Sequence, residues 1–222
     1  MARPQRSFQG LGAVRRVPLD LEDLLGADLS SARAAPAEEV SDADLVHAAL
    51  DGDEEAFGQL VARYHRRAFW IAFHVVGRVE DARDVVQESF VRVHRALNNF
   101  DFGRSFYTWF YRIVMNLAID SLRKRRAARA VSVDEFVDRL AAEEGATEPA
   151  ERDETRTLVW RVLGKLDSKF RSVMVLRDIH GMSCREIAPI LQVTHATVRW
   201  RLHRARQIFR EHWERMVKED RD

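Results

Sequence analysis

The chain has 222 residues, room for one or two domains of ~100–200 residues, and is 46% hydrophobic and 32% charged, which excludes global disorder. Its 36 Lys and Arg against 35 Asp and Glu leave a net charge of +1, which would argue against a nucleic-acid binder if the charge were evenly spread. A lone cysteine, Cys184, excludes an internal disulfide and any multi-cysteine metal site.

Along the chain the charge is strongly segregated. Residues 1–40 are poorly periodic and punctuated by Gly10, Gly12, Pro18, Gly26 and Pro36. Only Leu19, Leu21, Leu24, Leu25 and Leu29, flanked by Asp20, Glu22 and Asp23, could form a short amphipathic turn or helix. The expectation there is a tail, with a partner-binding helix as the alternative.

Helical signals become dense at residue 41. Ser41 ahead of Asp42 and Asp44 is an N-cap followed by acids that suit the helix dipole, and Gly52 interrupts the helix it starts. Phe57, Leu60, Val61, Tyr64, Ala68, Ile71, Ala72 and Val75 recur at three-and-four spacing up to Gly77. Ala82, Val85, Val86, Phe90, Val93 and Leu97 repeat the pattern. The turn-forming run Asn98 to Arg104 breaks it, and Phe106, Trp109, Phe110, Ile113, Val114 and Leu117 predict a third long helix. Residues 41–130 therefore read as an all-α bundle. Residues 131–157 hold nine acids against three arginines, a net −6, with Gly145, Thr147 and Pro149 among them. They predict an acidic linker over 131–154, with a short helix around Phe136 to Leu140.

A second, smaller helical domain is expected over 155–222. Leu158, Val162 and Leu166 mark one helix, and Phe170, Val173, Met174 and Ile179 the next, stopped by Gly181. Ser183-Cys184-Arg185-Glu186 is a capping box; Gln192-Val193-Thr194 is a short turn; a long basic helix follows through Trp213. That order is a helix-turn-helix.

Four constellations carry chemistry. In the final helix Val198, Leu202, Ala205 and Phe209 form the buried stripe, so rotation by 100° per residue puts Trp200, His203, Arg204 and Gln207 opposite, with Arg199 at the edge. Arg199 to Arg210 contains five arginines and no acid, and arginine can grip guanine edges bidentately while neighbouring cations hold phosphates. Arg123, Lys124, Arg125, Arg126 and Arg129 exceed what a helix C-terminus needs, and point to phosphate-backbone contact. The Asn98–Arg104 loop and the aromatics after it could hold an unpaired base by hydrogen bonding and stacking, with Tyr107, Thr108 and Tyr111 expected to point outward. Asp81, Asp84 and Glu88 share one side of a helix, which suits protein docking better than a metal site because no second helix supplies matching ligands. With no GxxxxGK[ST], GxSxG or HExxH motif, no catalytic residue, metal or cofactor is expected. No apolar run of ~18 residues or signal-peptide core occurs, so a soluble, cytoplasmic protein without membrane insertion is the expectation.

Asp81-Ala82-Arg83-Asp84-Val85-Val86-Gln87-Glu88-Ser89-Phe90 resembles the polymerase-binding stretch of bacterial sigma factors of the extracytoplasmic-function group. Ser105 to Ile113, then Asn116 and Asp120, resembles their promoter-melting helix. Gly181 to Ala188, with Thr197-Val198-Arg199 and Arg201 to Arg206, resembles their second domain. The three stand in register over about residues 42–215. The resemblance implies two helical domains, a sigma-2-like bundle and a sigma-4-like helix-turn-helix. It implies core RNA polymerase (clamp and flap), promoter DNA and an anti-sigma factor or other regulator as partners.

By the same resemblance, Asp81, Asp84, Val85, Gln87, Glu88 and Phe90 would contact core polymerase. Asn98, Asn99, Phe100, Asp101, Arg104, Ser105, Tyr107, Thr108, Trp109, Arg112, Arg123 and Arg126 would take the −10 element, capturing a flipped base. Arg199, Trp200, His203, Arg204 and Gln207 would read the −35 element, and the acidic linker would thread the polymerase channels as a nucleic-acid mimic. The sequence departs from the family pattern at Asp167, Pro189, Ala196 and Trp200 and in the extension 1–40; Pro189 predicts a distorted helix. A polymerase-independent helix-turn-helix regulator would explain only the second domain, and a helical nuclease built on Asp81, Asp84 and Glu88 would require metal-dependent cleavage.

Overall fold

The computed structural model describes residues 40–127 and 150–219, with the side chains of 126, 127 and 150–154 excepted. Residues 1–39, the short helix expected at Phe136–Leu140 and the loop part of the acidic linker lie outside the described residues. Among the described residues every regular element is helical.

The first unit contains α1 (Asp42–Leu50), α2 (Glu54–Val76), α3 (Val79–Ala96), a 3-10 turn (Leu97–Asn99) and α4 (Phe106–Ala127). Caps set the starts. The Ser41 hydroxyl accepts from the Asp44 N–H at 3.2 Å, and Asp53 Oδ1 accepts from the N–H groups of Glu55 and Ala56 at 2.9 and 3.1 Å, satisfying donors that the first helical turn leaves free. Gly77 ends α2 in the left-handed region at φ 79°, where a side chain would be strained. α2, α3 and α4 pack on one another around aromatic rings. Tyr64 meets Phe106 and Phe110 edge-on at 5.3 and 5.2 Å, and Phe110 lies 4.9 Å from Phe90. The Tyr64 hydroxyl donates to Asp42, whose other oxygen accepts from Arg63 at 2.6 Å, and Arg63 also donates to the Val40 carbonyl at 2.8 Å. This polar clamp ties α1 and the entering chain to the middle of α2. Burial and the neighbouring Asp42 carboxylate both push the Tyr64 phenol up, so it stays a donor.

The second unit contains α5 (Ala150–Lys165), α6 (Ser168–Met174) continuing into one π turn (Val175–Ile179), α7 (Cys184–Ile190) and α8 (His195–Glu219). α5 begins inside the stretch assigned by charge to the linker. Both halves of the predicted capping box form: the Ser183 hydroxyl accepts from Glu186 N–H at 3.2 Å, and Glu186 accepts from Ser183 N–H at 2.7 Å. Pro189 leaves α7 continuous through Ile190, against the expected distortion. The helix runs on for only one residue past it, and the Leu191 N–H still reaches the Ile187 carbonyl at 2.9 Å. Gln192, at φ 54°, makes the left-handed step of the turn, and Thr194 caps α8 by accepting from Thr197 N–H at 3.1 Å. Val198, Leu202, Ala205, Phe209 and Trp213 are the buried stripe of α8.

The two units pack against each other, α4 on α6 and α7, and α2 on α6 and the π turn. The end of α2 explains why. Its last carbonyls have no helical donors and sit at the negative end of the dipole, so cations are favoured there. Two arrive from different elements. Arg125 of α4 donates to the Val76 carbonyl and to Asp81, both at 2.9 Å. Arg171 of α6, buried, donates to Val75 and Leu163 carbonyls at 2.8 Å each and to the Gly164 carbonyl. Beside it the buried imidazoles of His74 and His180 meet at 3.0 Å, Nδ1 to Nε2, and Arg67 donates to the His180 carbonyl at 3.3 Å. One ring must donate and the other accept, so the pair fits two neutral imidazoles. Burial pushes the His74 imidazole well below its ordinary value, and burial with the Arg67 charge pushes His180 down to about 3. Trp160 of α5 stacks on His74 at 4.6 Å.

This seam corrects one expectation. Tyr111, expected to point outward, is 1% exposed. It packs by Tyr64 and by Arg67, whose guanidinium lies 6.0 Å from its ring. The apolar stripe of α4 taken alone marks one buried face, whereas the helix is covered on two.

Candidate nucleic-acid interface

The outer face of α8 presents Arg199, Trp200, His203, Arg204 and Gln207, all exposed and in the arrangement expected from the helical period. Trp200 is 60% exposed, with the ring of Phe170 6.2 Å away. Arg204 donates to Gln207 Oε1 at 3.2 Å, and the Gln207 amide meets His203 Nε2 at 3.2 Å, so three polar tips are aligned on one side of the helix. Arg206, also exposed, instead grips Asp178 with two bonds of 2.6 and 3.1 Å, tying α8 to the π turn. An outward row of donors with an indole is suited to base edges and to the thymine methyl in a major groove.

The second surface surrounds the Asn98–Ser105 loop. Asn98, Asn99, Asp101, Arg104 and Ser105 are exposed. Asp101 organises the loop: Oδ1 accepts from Gly103 N–H at 2.9 Å and Oδ2 from Arg104 Nε at 3.1 Å. Tyr107, Thr108, Trp109 and Arg112 are half-buried along the start of α4, with Arg67 5.6 Å over the Tyr107 ring. Phe100 departs from the expectation. It is 9% exposed and packs on Trp109 and Phe102, both at 5.1 Å, supporting the loop from below. Phe102 takes the outward place instead, stacked on His47 at 4.0 Å and 9°. Sequence reasoning missed that pair because His47 comes from α1, on no shared helical period with the loop.

The basic end of α4 divides. Arg123 is exposed and 3.6 Å from Asp120, whereas Arg125 is spent on Asp81 and the end of α2. The Arg126 side chain lies outside the described residues.

The acidic stretch divides too. Asp84 and Gln87 are exposed on α3, and Glu88 is half-buried and paired with Arg92 at 2.8 Å. Asp81 is held by Arg125, so it serves the join of α3 to α4. Val85 and Phe90, expected at the docking surface, are core: 5% and 8% exposed. Among the described residues no group of His, Cys, Asp or Glu is placed to hold a metal, and no helix is long and apolar enough to cross a membrane. Thus the α8 set is exposed throughout, the loop set is exposed or half-buried except for Phe100, and the expected docking set is split between face and core.

Comparison with known proteins agrees with this division into two units. Residues 60–128 match the family model described as Sigma-70 region 2, and residues 156–208 match Sigma-70, region 4. The ECF RNA polymerase sigma factor SigW of Bacillus subtilis is 33% identical over 175 residues, covering 72% of this chain and 90% of that protein. The ECF RNA polymerase sigma-E factor of Salmonella typhimurium is 37% identical over 182 residues, covering 77% of this chain and 93% of that protein. Among solved structures, CnrH in complex with the cytosolic domain of CnrY superposes with a TM-score of 0.58 at 35% identity, over 77% of this chain and 95% of that one. The chain belongs to the sigma-70 family, in its extracytoplasmic-function group, and is an alternative sigma factor that directs transcription.

Proposed function

We propose that the two surfaces divide promoter recognition between them. Asn98, Asn99, Arg104 and Ser105, with Tyr107, Thr108, Trp109 and Arg112, receive the −10 element, and Arg123 holds its backbone. Trp200, His203, Arg204 and Gln207 with Arg199 read the −35 element. Asp84, Gln87 and Glu88 of α3 meet the clamp of core RNA polymerase, and the second unit meets its flap. The protein acts in the cytoplasm without catalysis of its own, and an anti-sigma factor or similar regulator holds it inactive, as the complex of CnrH with CnrY suggests by likeness. The observation that carries this reading is the outward α8 face, where Arg199, Trp200, His203, Arg204 and Gln207 are exposed together while Arg206 is paired with Asp178.

The same reading requires the units to separate. Elements named −10 and −35 stand roughly 25 base pairs apart, ~85 Å of B-form duplex. A compact chain of 222 residues has a radius of gyration of only ~17 Å. The Arg171 and His74–His180 seam must therefore open on the promoter.

Run-off transcription with purified core polymerase tests the reading. Specific initiation that needs both proteins is expected, and Arg204→Ala should reduce it on promoters with an intact −35 element. Equally specific binding to duplex promoter DNA without polymerase would establish the helix-turn-helix regulator instead.

A further inference from the structure

Between α2 and α3 runs an open apolar groove of about 560 Å³. Its floor is Val86 and Phe90, and its walls are Phe57, Val61 and Val91. The rim is cationic or imidazole-bearing: Arg83, Arg95, His65 and His94 line it, and Gln87 is the remaining polar side chain. The volume lies within the ~300–1,000 Å³ of clefts that bind ligands. An apolar floor under a basic rim fits an amphipathic segment whose other side is acidic.

The chain itself carries such a segment. Leu21, Leu24, Leu25 and Leu29 stand at i, i+3, i+4 and i+8, one side of a helical turn, with Asp20, Glu22 and Asp23 off that side, Asp28 within it, and no base between 19 and 29. Residues 1–16 could not substitute, since they hold Arg3, Arg6, Arg15 and Arg16 and no acid. Reach is sufficient. Val40 is held by Arg63, which lies on the far side of α2 from Val61 and His65. Residues 30–39 extend to ~33 Å at most, enough to round a helix ~10–12 Å across.

We propose that residues 19–29 dock in this groove, leucines down and the flanking Asp20 and Glu22 on the arginine rim. A short tether supplies an effective concentration of ~1 mM, so even an intrinsic dissociation constant of ~0.1 mM gives ~tenfold occupancy. Because Gln87 and Phe90 belong to the stretch read above as the polymerase-docking surface, the docked segment competes with core polymerase; that consequence rests on the reading, whereas the docking does not.

The full-length protein with p-benzoylphenylalanine at Leu25 is irradiated and its cross-links are mapped by mass spectrometry. Intramolecular cross-links to Phe57, Val61, Phe90 or Val91 are expected, falling several-fold in yield in the Arg83→Glu, Arg95→Glu variant. Cross-links to another surface, to a second copy, or to nothing overturn the docking. Core-polymerase affinity of the Leu24→Asp, Leu25→Asp variant is measured alongside and should rise about tenfold over wild type. Groove cross-links with unchanged affinity would leave the docking standing and remove the groove from the polymerase surface.

Discussion

The seam between the two units and the outer face of α8 are built from the same residue types, arginine, histidine and an indole, and are used in opposite ways. At the seam the arginines have fixed acceptors: Arg171 holds three carbonyls and Arg67 the His180 carbonyl, while inside the first unit Arg125 holds a carbonyl and Asp81. On α8 the corresponding groups are exposed and meet one another, with Glu211 3.9 Å from Arg204. A basic run in the sequence therefore does not mark a nucleic-acid surface by its charge. The supply of nearby backbone acceptors decides, and the end of α2 is where that supply is greatest.

The sharpest way to break the comparison is to remove one arginine from each side. Arg171→Ala strands the buried Val75 carbonyl and removes donors from those of Leu163 and Gly164, and should destabilise the protein by ~3–5 kcal/mol in urea unfolding. Arg204→Ala should leave stability within ~0.5 kcal/mol and weaken −35 binding by ~1–3 kcal/mol. Equal stability losses in both variants would erase the distinction.

Phe100→Ala sharpens it within the loop. A ring 9% exposed beneath Trp109 should cost about 3 kcal/mol of stability on truncation. Asn99→Ala, at an exposed position, should leave the melting temperature nearly unchanged and reduce open-complex formation, read by permanganate reactivity of the −10 strand.

The third test is pH. His74 and His180 both titrate below the ordinary 6.5 when folded, His180 at about 3. As pH falls below about 6.5 the unfolded chain takes up protons that the seam refuses. The stabilisation is thus complete above that pH and is lost below it, by up to ~1.4 kcal/mol per pH unit for each imidazole, down to about pH 3 for His180. Equilibrium unfolding between pH 7 and 5 should show this slope, and His74→Phe should reduce it by about half. Of the substitutions that remove a packing or pairing contact, Asp81→Asn should cost least, about 1 kcal/mol, because the partly exposed Arg125 retains the Val76 carbonyl.

Much of the fold was legible from local chemistry. Ser41 and Ser183 announced their caps, Gly77 its stop, and the α8 stripe from Val198 to Phe209 its orientation, because each depends on residues within a few positions. Other positions depend on packing. Tyr111 is covered by Tyr64 of α2, Phe100 turns under its own loop onto Phe102 and Trp109, and Val85 and Phe90 lie where the apolar stripe of α3 puts them, Phe90 against Phe110. Arg125 looked like one member of a basic run until the end of α2, 49 residues earlier, was beside it. The His74–His180 pair, 106 residues apart, has no local signature at all.

Trp160 lies stacked on His74, and Trp70 comes within 5.7 Å of the same imidazole. The seam thus carries its own optical probe. Opening would take the Trp160 indole from a dry stack into water, shifting its emission to the red, while Trp213, buried along α8, keeps its surroundings.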